Sequence, residues 1–142
     1  MENIEDLINQ IERDLDQGNL NGAAQTCQKA LQLAESRGDL KGKAMVFQKL
    51  SLIHFSAGNR DKALQLLGEA ANIYNNGGFK DLLALCLHDM AIVHTNIGNL
   101  EESLKLYQEA YNIMNSIGLG QHQFAVKIQG KILALKMQLG GG

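Results

Sequence analysis

Apolar residues recur along this chain at intervals of three and four. In Ala63-Leu64-Gln65-Leu66-Leu67-Gly68-Glu69-Ala70-Ala71-Asn72-Ile73-Tyr74 they fall at i, i+3, i+4 and i+7. Val46, Phe47, Leu50, Ile53, His54 and Ala57 keep the same interval. That spacing lays one apolar stripe along a helix of about 3.6 residues per turn. No alternation of period two lasts beyond a few residues, so no strand is predicted. The pattern predicts helices near 2–17, 21–37, 41–57, 60–76, 81–97, 100–117 and 121–139.

The breaks between these helices are themselves periodic. Gly18-Asn19, Gly58-Asn59 and Gly98-Asn99 lie forty residues apart, and Gly38, Gly78 and Gly118 repeat at the same interval. Three further columns keep step: Ala23, Ala63 and Ser103; Ala30, Ala70 and Ala110; Leu33, Ile73 and Ile113. A fixed period of this length marks a repeat architecture. Glycine ends a helix by taking the left-handed conformation, and an asparagine after it suits the N-cap of the next helix. The two small columns lie about two turns apart on one face of the second helix of each pair, where small side chains let helix axes approach closely. Helix pairs that bury a face only against their neighbours form a solenoid.

The expected fold is therefore all-α: an α-solenoid of three antiparallel helix pairs plus a C-terminal closing helix. The pairs would span about 1–38, 41–78 and 81–118, with the closing helix at 121–139, all in a single domain of residues 1–139 followed by a flexible tail, 140–142. The closing helix departs from strict register. A straight copy would put Lys127, Gly130 and Lys131 in the core, whereas its own apolar stripe is Phe124, Ile128, Ile132, Leu135 and Leu139. It is expected to be rotated over the third pair.

Composition narrows the function classes. The 142 residues carry a net charge of -2 with 45% hydrophobic and 20% charged residues, the profile of a folded domain rather than a disordered chain. There is no excess of Lys and Arg to displace counterions, so no nucleic-acid partner is expected. No apolar run reaches the ~18–20 residues that span a bilayer, and the acidic start Met1-Glu2-Asn3-Ile4-Glu5-Asp6 is unlike a signal peptide, so the expected location is cytoplasmic and no membrane partner is expected. Zero proline against fifteen glycines suits long uninterrupted helices closed by glycine. Cys27 and Cys86 sit among apolar residues without ligand-spaced neighbours and read as buried thiols, not a metal site. His88 and His94, six apart, point to different helix faces, and His54 and His94 fall at matching repeat positions, expected to pack between helices. Glu12, Asp14 and Asp16 read as a solvated face, and Glu101-Glu102 as dipole-complementing residues at a helix start. No nucleophile, base and pocket assemble, so neither an enzyme nor a cofactor is expected.

The second repeat reads Phe47-x-x-Leu50-Ser51-x-x-His54-x-x-x-Gly58-Asn59-x-x-x-Ala63-x-x-x-Leu67-x-x-Ala70. The third gives Leu87, Met90, Ala91, His94, Gly98, Ser103, Tyr107 and Ala110 in the same order. Over about residues 1–118 this resembles the tetratricopeptide repeat family in a forty-residue form, which implies that the α-solenoid is right-handed. The first repeat keeps Leu7, Gly18, Ala23, Cys27 and Ala30 but has Gln10, Ile11 and Asp14 where the others carry Leu or Met, Ser or Ala, and His. Glu35, Asn75 and Asn115 stand where the family places a proline.

The resemblance implies that the first helix of each pair lines a concave groove. Carried onto this chain, the candidate partner-binding residues are Ile8 and Asn9, with Glu12 and Asp16, in the first repeat; Met45, Gln48, Lys49, Leu52 and Phe55, with Ser56, in the second; and Leu85, His88, Asp89, Ile92 and Asn96, with Thr95, in the third. One branch of the family grips a terminal carboxylate with Lys, Arg and Asn at these places. Here only Lys49 and Asn9 qualify, opposite Asp89, so an apolar floor of Ile8, Met45, Leu52, Leu85 and Ile92 is expected instead. The expected function is an adaptor or regulatory module that binds a partner peptide or amphipathic helix in the groove. The alternative is a self-associating scaffold stacking end to end. It draws on an acid-rich first twenty residues against Lys127, Lys131 and Lys136 in an acid-free last twenty-two.

Overall fold

The computed structural model describes residues 2–140. Seven helices follow one another: α1 (Ile4–Asp16), α2 (Leu20–Arg37), α3 (Leu40–Ser56), α4 (Arg60–Gly77), α5 (Lys80–Ile97), α6 (Leu100–Ser116) and α7 (Gln123–Gly140). Among the described residues there is no strand. Helix α7 reaches Gly140, one residue into the predicted tail; residues 141–142 lie outside those described.

The turns explain why the helices stop where they do. At Gly98 the backbone takes φ 95°, a conformation that would strain any side chain. That twist lets the Asn99 amide donate back to the His94 carbonyl at 2.8 Å, satisfying a helix-end acceptor. The other five periodic glycines also have positive φ. Helix starts are less uniform. Asn3, Asn19 and Asp39 cap α1, α2 and α3 by accepting from the backbone amides of Asp6, Gly22 and Gly42. Asn99 makes no side-chain cap bond; its amide group instead lies 3.4 Å from His94 Nδ1, and Asn59 faces His54 at the same distance. The His and Gly-Asn columns of the repeat are thus one turn motif, with each half-buried imidazole meeting the asparagine five residues on.

The chain separates into two compact units, with the boundary between Ile73 and Tyr74 inside α4. In the first unit Ile4, Leu7, Ile8 and Ile11 of α1 meet Ala23, Cys27, Ala30 and Ala34 of α2 and Val46 of α3. Ile11 is fully enclosed; burying a side chain of that size contributes roughly 1.5–3 kcal/mol. In the second, Ala84, Leu87 and Ala91 of α5 meet Leu106, Tyr107, Ala110 and Met114 of α6 and Ala125, Ile128 and Leu135 of α7. Every residue of the two small columns is fully buried. Ser103 keeps its hydroxyl satisfied by donating to the Ala91 carbonyl at 3.0 Å, with Thr95 Oγ1 beside it.

Helix α7 is rotated, and the connection before it shows how. It starts at Gln123 where a forty-residue copy of α5 would start at 120, and His122 closes the turn by accepting the Phe124 amide on Nδ1 at 3.1 Å. The buried or half-buried set Ala125, Ile128, Ile132 and Leu135 matches Ala84, Leu87, Ala91 and His94 at a spacing of forty-one. One extra residue turns a helix by about 100°. Leu139, placed by sequence on the inner stripe, is exposed. Asp14 also departs from expectation. It is buried rather than part of a solvated face with Glu12 and Asp16, because it occupies the His54/His94 position of the repeat. Its carboxylate accepts from Gln10 Nε2 at 3.0 Å.

Candidate functional site

The candidate partner-binding positions of the first unit lie on α1 and α3. Ile8 is buried in the core and does not form an open floor. Asn9 is exposed; Met45, Gln48, Lys49 and Phe55 are half-buried, and Leu52 is the one large apolar side chain among them left open, at 48% exposure. Lys49 reaches across to α1, where its Nζ lies 2.9 Å from Glu12 Oε1. Lys49 is thus paired within its own chain. The same ammonium also bears on Cys27. Burial pushes that thiol up to about 11, and the Lys49 charge partly offsets the rise.

In the second unit the positions lie on α5. Leu85 and Ile92 are open, at 41% and 38%, with exposed Asn96 beside them. His88 and Asp89 are half-buried and adjacent, Nδ1 to Oδ1 3.3 Å. The His88 ring packs edge-on against Tyr107 of α6 at 5.8 Å and Phe124 of α7 at 5.0 Å between centroids. Burial raises the Tyr107 hydroxyl pKa, and the Asp89 charge adds to the rise. Cys86, behind the same helix, is pushed up to about 12 by burial and secondarily by Asp89. Both cysteines are therefore neutral, buried thiols, as their apolar neighbours imply.

Helix α7 packs against α6, and its Phe124 ring also touches His88 of α5. With the one-residue shift, Leu85, Asp89, Ile92 and Asn96 correspond to Val126, Gly130, Leu133 and Met137 of α7. Val126, Leu133 and Met137 are exposed, the last two at 61% and 69%. The signal that could have found them is the apolar spacing i, i+4, i+7, i+11 opposite the inner stripe, which strict forty-residue register obscured.

No helix among the described residues is long and apolar enough to cross a membrane. Among the same residues no three His, Cys, Asp or Glu side chains gather as a metal site would require.

Comparison with known proteins agrees with this architecture. Residues 83–116, which lie within α5 and α6 and their connection, match the tetratricopeptide repeat family. No curated protein matches the sequence significantly. Among solved structures, the nearly identical TPR-like repeats of a kinesin light chain-like protein from Podosopora anserina superpose with a TM-score of 0.80 at 14% identity, covering 99% of this chain and 69% of that one. A second structure of the same repeats gives the same score and identity, covering 70% of that chain. BtubC from P. vanneervenii is similar at TM-score 0.59 and 13% identity, over 97% of this chain and 67% of its own. The chain has the all-α solenoid fold of helix pairs, and within it residues 83–116 match a tetratricopeptide repeat.

Proposed function

We propose that this chain is an adaptor that binds a segment of a partner protein along the faces of its first-in-pair helices, and that it works without catalysis. The observation that carries this is the open apolar pair Leu85 and Ile92 on α5. Neither side chain is needed by the core, where Ala84, Leu87 and Ala91 serve. Exposed apolar side chains aligned along one helix face favour a bound apolar surface over water, and an amphipathic helix or peptide supplies one. In the first unit Leu52 takes the corresponding place, beside the Lys49–Glu12 ion pair. The test is capture of partners from native lysate by the wild-type chain, by Ile92→Glu and by Leu52→Glu. Each variant should retain native circular dichroism, and Ile92→Glu should lose the captured partner. Undiminished capture by both variants would refute binding at these faces.

A further inference from the structure

Helix α7 has two apolar faces. The inner one, Ala125, Ile128, Ile132 and Leu135, packs on the second unit's core, while Val126, Gly130, Leu133, Ala134 and Met137 form a continuous outer stripe. A helix apolar on both sides is the pattern of an element enclosed on both sides. The stripe occupies the register positions that Leu85 and Ile92 hold on α5, and Phe124 at the start of α7 touches His88 of α5. Gly130 sits at its centre with nothing within 4 Å of where a Cβ would be. Glycine costs about 1 kcal/mol in a helix interior, and here no neighbour within the chain demands it. A backbone arriving from outside would.

Charge selects the occupant. Lys127 lies about 100° to one side of Val126 around the helix and Lys136 about 80° to the other, with Lys131 beyond Lys127, and residues 123–140 contain no Asp or Glu. All three lysines are exposed, and among the described residues none forms an ion pair. A second copy fits poorly. An α7–α7 contact would set lysine against lysine, and the acidic helix α1 has its apolar face, Ile4, Leu7 and Ile11, already enclosed.

We infer that α7, besides closing the second unit's core with its inner face, is half of a two-helix binding floor with α5, and that its occupant is a partner's amphipathic helix, apolar on one face and acidic along the margin that lies over α7. This rests on the reading that α5 binds a partner, and deepens it.

The probe is a synthetic fluorescent helix of about five turns with leucine along one face and glutamate at both margins, paired with a twin carrying lysine at the margins. Anisotropy titration of the full chain should show the glutamate helix binding at least about tenfold more tightly than its twin, and weakening as salt rises from about 50 to about 300 mM. Leu133→Glu and Met137→Glu, both at open positions, should each weaken it about tenfold with unchanged circular dichroism. Reversing Lys127, Lys131 and Lys136 to Glu should reverse the preference between the twins. Equal binding of both probes overturns the acidic assignment. Binding lost in Ile92→Glu but kept in Leu133→Glu and Met137→Glu overturns the two-helix floor while leaving the α5 reading intact. Binding indifferent to Ile92→Glu, Leu133→Glu and Met137→Glu overturns both. A concentration-dependent dimer in sedimentation that Leu133→Glu abolishes would make a second copy the occupant and overturn the proposal.

Discussion

The α1/α3 face of the first unit and the α5/α7 face of the second are built on the same repeat, yet one is largely closed and the other open. In the first, Ile8 turns into the core, and Lys49 bridges to Glu12, leaving Leu52 as the only open large apolar group among the candidate positions. In the second, Leu85, Ile92, Val126, Leu133 and Met137 are all exposed, and His88 and Phe124 form an aromatic seam between the helices. Repeat register therefore sets which positions can face outward, but not what they offer. An ion pair spanning two helices keeps long polar stems lying across the floor. An aromatic seam packs low between the helices and leaves the apolar positions on either side uncovered.

This contrast can be broken or sharpened by measurement, beginning with the core that each face rests on. Ile11 and Ile128 are both fully enclosed, one in each unit. Ile11→Ala and Ile128→Ala should each cost ~2–5 kcal/mol in urea unfolding. A loss below about 1 kcal/mol for Ile128→Ala would mean that α7 is not integral to its unit, and the open face would lose half its support. Next come the small columns. Ala30→Leu in the first unit and Ala110→Leu in the second should each overpack by ~1–3 kcal/mol, because both side chains are fully buried. A lowered melting temperature in only one of them would show that the two units pack with unequal tightness.

Glycine gives a smaller and signed effect. At Gly98, φ is 95°, so Gly98→Ala should destabilise by about 1 kcal/mol or more. At Gly130, inside α7 with open space around it, Gly130→Ala should stabilise by up to about 1 kcal/mol. Thermal melts of the two variants should shift in opposite directions, and a destabilised Gly130→Ala would contradict the open outer face.

The smallest effect near neutral pH concerns the thiols. Below the unfolded value near 9.0 both cysteines are protonated in either state and contribute nothing to a pH dependence. Above it the unfolded thiols lose protons that the folded ones keep, so stability should fall as pH rises toward about 11 for Cys27 and about 12 for Cys86. At pH 8, Ellman's reagent should react slowly with the native chain and rapidly in urea. Burial raises both thiols; Lys49 offsets part of that rise at Cys27 while Asp89 adds to it at Cys86, so the first unit's thiol should be the less perturbed of the two.

Much of this architecture is legible in the residues. The seven helices fall within about two residues of the positions that apolar spacing implies, and all six periodic glycines adopt positive φ. The candidate face was legible in part: Leu52, Leu85 and Ile92 are open, as repeat position suggests. Ile8 was not, because α1 buries one more position than its counterpart in α3. Asp14 was readable by register and misread by chemistry; a carboxylate among other acids looks solvated until its alignment with His54 and His94 is given more weight. The outer stripe of α7 escaped because a single added residue before the helix shifts every later position by about 100°.

By itself the sequence determined what depends on neighbours along the chain: helix, turn, period and the small columns. These follow from i+3 and i+4 contacts and from backbone conformations that only certain residues adopt without strain. The tertiary structure decided what depends on groups far apart in the chain. It brought Lys49 to Glu12, stacked His88 against Phe124, enclosed Ile8 and Asp14, and turned Val126, Leu133 and Met137 outward. Exposure is a property of the space between helices, and that space is set by how the helices are rotated against one another, which no local pattern encodes.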